Sequence, residues 1–104
     1  MPQLRNNWWA PIWPGLVVDA EGKHIRRLGT AIWLLLYLIT HARRPTGLVT
    51  QRLATIAARM HMPRRTVQRW LSRLERHDYI DVVVKAPVLT IRIKRWKSLA
   101  ARQK

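Results

Sequence analysis

Apolar residues between Leu53 and Ile80 recur on a helical period that is broken once. Leu53, Ile56, Ala57 and Met60 make one stripe at spacings of three, one and three, the signature of a short amphipathic helix. His61-Met62-Pro63 interrupts it. Proline has no N–H and a fixed φ, so Pro63 suits the first turn of a new helix and not the interior of an old one. Val67, Trp70, Leu71 and Leu74 then form a second stripe, expected to be buried. Arg64, Arg65, Gln68, Arg69, Ser72 and Arg76 lie opposite it. The pattern predicts two short helices around a tight turn, the second running over 63–77 with a cationic outer face.

Downstream the period changes from helical to alternating. Asp81-Val82-Val83-Val84 reads as a strand, Lys85-Ala86-Pro87 as a turn, and Val88 to Lys94 as a second strand. Leu89, Ile91 and Ile93 are expected inward and Thr90, Arg92 and Lys94 outward, which predicts a β-hairpin with a basic outer face. Upstream, Thr30 to Ala42 is predicted as one helix capped by Thr30. It is apolar on nearly all sides, so it must be buried in the core or against a partner. Arg43-Arg44-Pro45-Thr46-Gly47 ends it. Leu48-Val49 is expected as a short third strand and Thr50 as the cap of the next helix. Leu16-Val17-Val18 and Lys23-His24-Ile25, separated by Asp, Glu and Gly, suggest a small hairpin or extended excursion. Pro2, Pro11, Pro14 and Gly15 keep residues 1–15 irregular. The expected organisation is a tryptophan-rich arm over 1–27, a folded domain over 28–96 and a basic tail over 97–104, with Trp96 and Leu99 packing back.

The central stretch resembles the winged helix-turn-helix of bacterial, phage and plasmid DNA-binding proteins, among them transcriptional regulators and replication initiators. Ile56-Ala57 with Met60, then Arg65-Thr66-Val67, Leu71, Leu74-Glu75 and Tyr79-Ile80, carry the likeness over roughly residues 28 to 96. It implies an α+β fold with a three-helix core and a C-terminal β-hairpin wing, the second helix of the motif entering the DNA groove. His61 and Asp78 stand where such proteins often have glycine. Both positions are expected to need a left-handed backbone, which His and Asp tolerate better than most side chains.

Charge strengthens this reading. The chain of 104 residues carries a net +15. Residues 1–42 contribute only +2, whereas 43–104 set sixteen Lys and Arg against Glu75, Asp78 and Asp81, a balance of +13. Charge concentrated on one half points to a polyanion partner. With no cysteine and six tryptophans, disulfides and thiolate metal sites are excluded, and large aromatics supply much of the apolar bulk of a single small domain. Ala31 to Ile39 is too short to span a bilayer, and no signal peptide is evident. The four histidines are scattered, the five acids form no paired site, and no glycine-rich phosphate loop occurs. No enzymatic activity, metal or cofactor is expected, and no small-molecule ligand is evident.

The candidate DNA-contacting residues are Arg64, Arg65, Thr66, Gln68, Arg69, Arg73, Lys85, Arg92 and Lys94. Arg can grip guanine O6 and N7, and Gln can grip adenine N6 and N7, so Arg65, Gln68 and Arg69 offer base readout. Thr66 near the helix start suits a phosphate. Arg73 and Arg76 would reach flanking phosphates, and Lys85, Arg92 and Lys94 would meet the adjacent backbone. The expected function is sequence-specific binding of double-stranded DNA by a cytoplasmic, nucleoid-associated transcriptional regulator. The rivals are the DNA-binding module of a replication initiator or replisome organiser and a structural RNA-binding protein. A homodimer is expected through the 1–42 half, near Trp8, Trp9, Trp13, Trp33 and Tyr37, because two strongly cationic surfaces would repel.

Overall fold

A computed structural model describes residues 12, 14–18 and 21–94 of the chain. Its helices are α1 (Pro14–Val17), α2 (Lys23–Leu28), α3 (Ile32–His41), α4 (Leu53–Met60) and α5 (Arg64–Arg76). A 3₁₀ turn, Gly29–Ala31, leads into α3. Three strands follow the same order: β1 (Leu48–Gln51), β2 (Ile80–Val84) and β3 (Leu89–Ile93). This is the α+β winged helix-turn-helix, with α3, α4 and α5 as the three-helix core and β2–β3 as the wing.

The helical stripes meet in one core. Leu34, Leu35, Leu38 and Ile39 of α3, Ile56 and Ala57 of α4, and Val67, Leu71 and Leu74 of α5 are all buried. Each large aliphatic side chain removed from water in this way contributes about 1.5–3 kcal/mol. The sheet closes the core from the other side. β3 is central, antiparallel to both β1 and β2, and its alternation is as expected: Leu89, Ile91 and Ile93 are buried and Arg92 is exposed. A bulge between Val82 and Val84 leaves Val83 and Val84 exposed towards the wing tip.

Both helices of the motif end in the same way, and this fixes the turn geometry. His61 follows α4 at φ 56° and Asp78 follows α5 at φ 68°, the left-handed conformation expected of both. His61 N–H donates to Ala58 O and Met62 N–H to Ala57 O. Asp78 N–H donates to Glu75 O and Tyr79 N–H to Leu74 O. These pairs are Schellman closures, which satisfy the last carbonyls and turn the chain sharply out of the helix. The first turn aims α5 away from α4, and the second delivers the chain directly into β2.

Several expectations are corrected. Where a small hairpin or extended excursion is expected, Pro14–Val17 and Lys23–Leu28 are helical. His24 and Leu28 sit one turn apart on α2. Leu28 is buried, and the His24 ring shares a hydrogen bond with the Tyr79 hydroxyl beside the end of α5. Leu16 of α1 also joins the core. Thr30 lies in the 3₁₀ turn, and α3 begins after Ala31 with no side-chain cap. Thr50 belongs to β1, paired with Thr90, and Arg52 occupies the position before α4. Trp8, Trp9, Trp13, Trp96 and Leu99 lie outside the described residues.

Candidate nucleic-acid interface

An α-helix turns by about 100° per residue, so Arg65, Arg69, Ser72 and Arg76 share the outer face of α5. Gln68 flanks them on one side and Arg73 on the other. Arg64, Arg65, Gln68, Arg69, Ser72 and Arg76 are exposed, and Thr66 is half-buried. Beside this face lies a concave trough of about 950 Å³ between α5 and the wing. Arg65, Gln68, Arg69, Ser72 and Arg76 line it from the helix, Lys85 from the wing turn, and Val82 and Leu89 from the sheet. The structure thus brings the base-reading candidates and one wing cation into a single concavity.

Each flank of α5 is tied to a different neighbour. On the wing side, Val82 N–H donates to Glu75 Oε2 at 3.4 Å. On the other side, Arg73 Nε donates to Arg27 O and Arg73 Nη2 to Arg26 O at 3.1 Å. Arg73, a candidate for a flanking phosphate, gives its guanidinium to carbonyls in the last turn of α2. A cation here also opposes the partial negative charge of a helix C-terminus. Gly29 permits the approach: its φ is +51°, and a Cβ at that position would stand 3.3 Å from Arg73 Nη2.

Two of the wing cations, Arg92 and Lys94, are also engaged. Arg92 Nη2 lies 3.3 Å from Asp81 Oδ2, and Lys94 Nζ lies 2.8 Å from Asp78 Oδ1 and 3.4 Å from Asp81 Oδ1. The hydrogen bond to Asp78 raises the Lys94 pKa above its ordinary value, with partial desolvation opposing it. Asp81 and Arg92 are cross-strand partners in the β2–β3 register, which places opposite charges side by side. The sequence marks the cations, gives Asp78 only a backbone role and leaves Asp81 without one. The one available signal was Asp81 opposite Arg92, visible only once the register is known.

A second concavity, about 650 Å³, lies between α3 and the helix-turn-helix and is lined mainly by Trp33, Leu36, Tyr37, Met60, Met62 and Trp70. Trp70, expected in the core, is half-buried on this groove. Trp33 is 63% exposed. Tyr37 donates its hydroxyl to Gln51 and stacks on His41, so one side of the largely apolar α3 is partly polar and only partly covered. Among the described residues, no helix is long and apolar enough to cross a membrane.

Comparison with known proteins agrees with this geometry. A relative, the phage-like element PBSX protein XkdB of Bacillus subtilis (strain 168), is 30% identical over 103 aligned residues. The alignment takes in 88% of this chain but only 36% of that protein, so the chain spans little more than a third of its length. No solved structure matches. The profile of a helix-turn-helix domain family matches residues 26–80, just over half of the chain and the whole of the α3–α5 core. By its profile match and by its fold, the chain belongs to the helix-turn-helix domain family, whose motif binds DNA.

Proposed function

We propose that the chain binds double-stranded DNA sequence-specifically and acts as a transcriptional regulator of bacterial or phage type, without catalytic activity of its own. α5 enters the major groove, Arg65, Gln68 and Arg69 read base edges, and Arg64 and Thr66 hold phosphates near the helix start. The wing over 81–94 lies on the flanking backbone through Lys85, while Asp81 and Asp78 hold Arg92 and Lys94 beside it. The observation that carries this reading is the trough. Arg and Gln, the side chains able to form bidentate pairs with guanine and adenine, line it together with a cation from the wing. A solvated cationic face would not require that convergence.

One helix reads only a few base pairs, so we further propose a homodimer on a two-fold site. The exposed Trp33 favours a contact through α3 in the half of low charge, beside an apolar groove that Met60, Met62 and Trp70 also line. A second reading is the DNA-binding module of a longer replication protein; the greater length of the Bacillus relative supports only that the chain is one part of a longer protein. Selection of bound sites from random duplex DNA tests both. A regulator of this kind should enrich a two-fold repeat of short half-sites, and a module should enrich a single asymmetric element. With Arg65→Ala or Gln68→Ala, preference should relax at the base pair each reads, at a cost of about 1–3 kcal/mol on the selected site. No enrichment, or equal affinity for duplex RNA, would remove the sequence-specific reading.

A further inference from the structure

We infer that α2 is a second shoulder of the DNA interface, placed opposite the wing, and that Arg26 and Arg27 contact the phosphate backbone there. The inference rests on the DNA-binding reading and extends it to residues outside the helix-turn-helix and wing. The two flanks of α5 carry it. Glu75 ties one flank to β2 of the wing, and Arg73 ties the other to the carbonyls of Arg26 and Arg27. Arg73 also lines the end of the trough. The C-terminal end of α2 therefore stands within one guanidinium of the recognition surface, on the side away from the wing.

Charge and exposure on α2 fit that place. Arg26 and Arg27 are both exposed, and among the described residues neither has an ion pair. His24 and Leu28 hold one face of α2 against Tyr79 and the core; Arg26 projects from the opposite face and Arg27 from the flank beside it, both exposed. Duplex DNA presents a phosphate strand on each side of the major groove. A recognition helix with a cation-bearing element on only one flank would leave the strand on the other flank with fewer cations to neutralise it. Arg73 is the positioning residue: by capping α2 it holds two cations beside the strand that the wing does not reach. Two like charges kept adjacent with no acid between them gain from a polyanion and from little else.

The test is the salt dependence of binding to a random-sequence duplex, followed by fluorescence anisotropy with the full chain. Each phosphate contact contributes about 0.9 to the slope of log affinity against log salt. The double variant Arg26→Gln/Arg27→Gln should lower the steepness by about 1.8 and weaken binding roughly thirty-fold at 0.15 M salt. Arg26→Lys/Arg27→Lys keeps the charge and should restore the wild-type slope. An unchanged slope in the glutamine variant, against a steep wild-type slope, overturns the shoulder and leaves DNA binding intact. Equal losses in the glutamine and lysine variants overturn it too, because the arginines would then serve the fold. A wild-type slope shallower than about 2 would instead remove the DNA-binding reading beneath it.

Discussion

Asp81→Asn should make this protein bind DNA more tightly. Asp81 sits on the wing, within 3.3 Å of Arg92 and 3.4 Å of Lys94. Its carboxylate both occupies these cations and repels an approaching phosphate. The amide releases Arg92, while Lys94 keeps Asp78 at 2.8 Å, so the net gain is one cation. If Arg92 then takes a phosphate, the slope of log affinity against log salt steepens by about 0.9, which is roughly a five-fold gain at 0.15 M salt. The cost to the fold is small. The Arg92 and Asp81 side chains are 56% and 37% exposed, and such surface pairs contribute about 0–1 kcal/mol. Anisotropy titrations of a labelled random duplex over about 50–300 mM salt would measure the slope, and thermal melting would verify folding. Equal or weaker binding by a folded Asp81→Asn protein, with the slope unchanged, would mean that the outer face of the wing does not lie on the duplex.

Leu74→Ala and Trp70→Ala should part company in urea unfolding. Leu74 is fully buried and should cost about 3–5 kcal/mol, whereas Trp70, half-buried on the apolar groove, should cost about 1–2 kcal/mol because less of it leaves water on folding. Arg73→Ala should destabilise by about 1–2 kcal/mol, the lower range for charged hydrogen bonds near solvent. Amide exchange should then quicken over α2 well before it does in α3; uniform quickening would show that Arg73 supports the whole fold instead.

Local physics made much of this protein legible from its residues. The spacing of Leu53, Ile56, Ala57 and Met60, and then of Val67, Leu71 and Leu74, placed α4 and α5. Pro63 marked the boundary between them, since a ring without an N–H cannot continue a helix. His61 and Asp78 were readable as left-handed ends because few other non-glycine residues accept that backbone. The alternation through Leu89, Ile91 and Ile93 oriented the wing, and the concentration of charge after residue 42 named the kind of partner. Tertiary structure decided what those patterns leave open. The turn residues Asp19 and Gly22 suggest a hairpin or excursion, but His24 and Leu28 dock on the core from a helix, α2. Arg73 looks in sequence like any other arginine on the α5 face; only folding brings it to carbonyls 46 and 47 positions away. Asp81 becomes the partner of Arg92 only once the strand register pairs them. Periodicity is written into neighbouring residues, whereas the partner of a charged side chain depends on which distant backbone the core brings beside it.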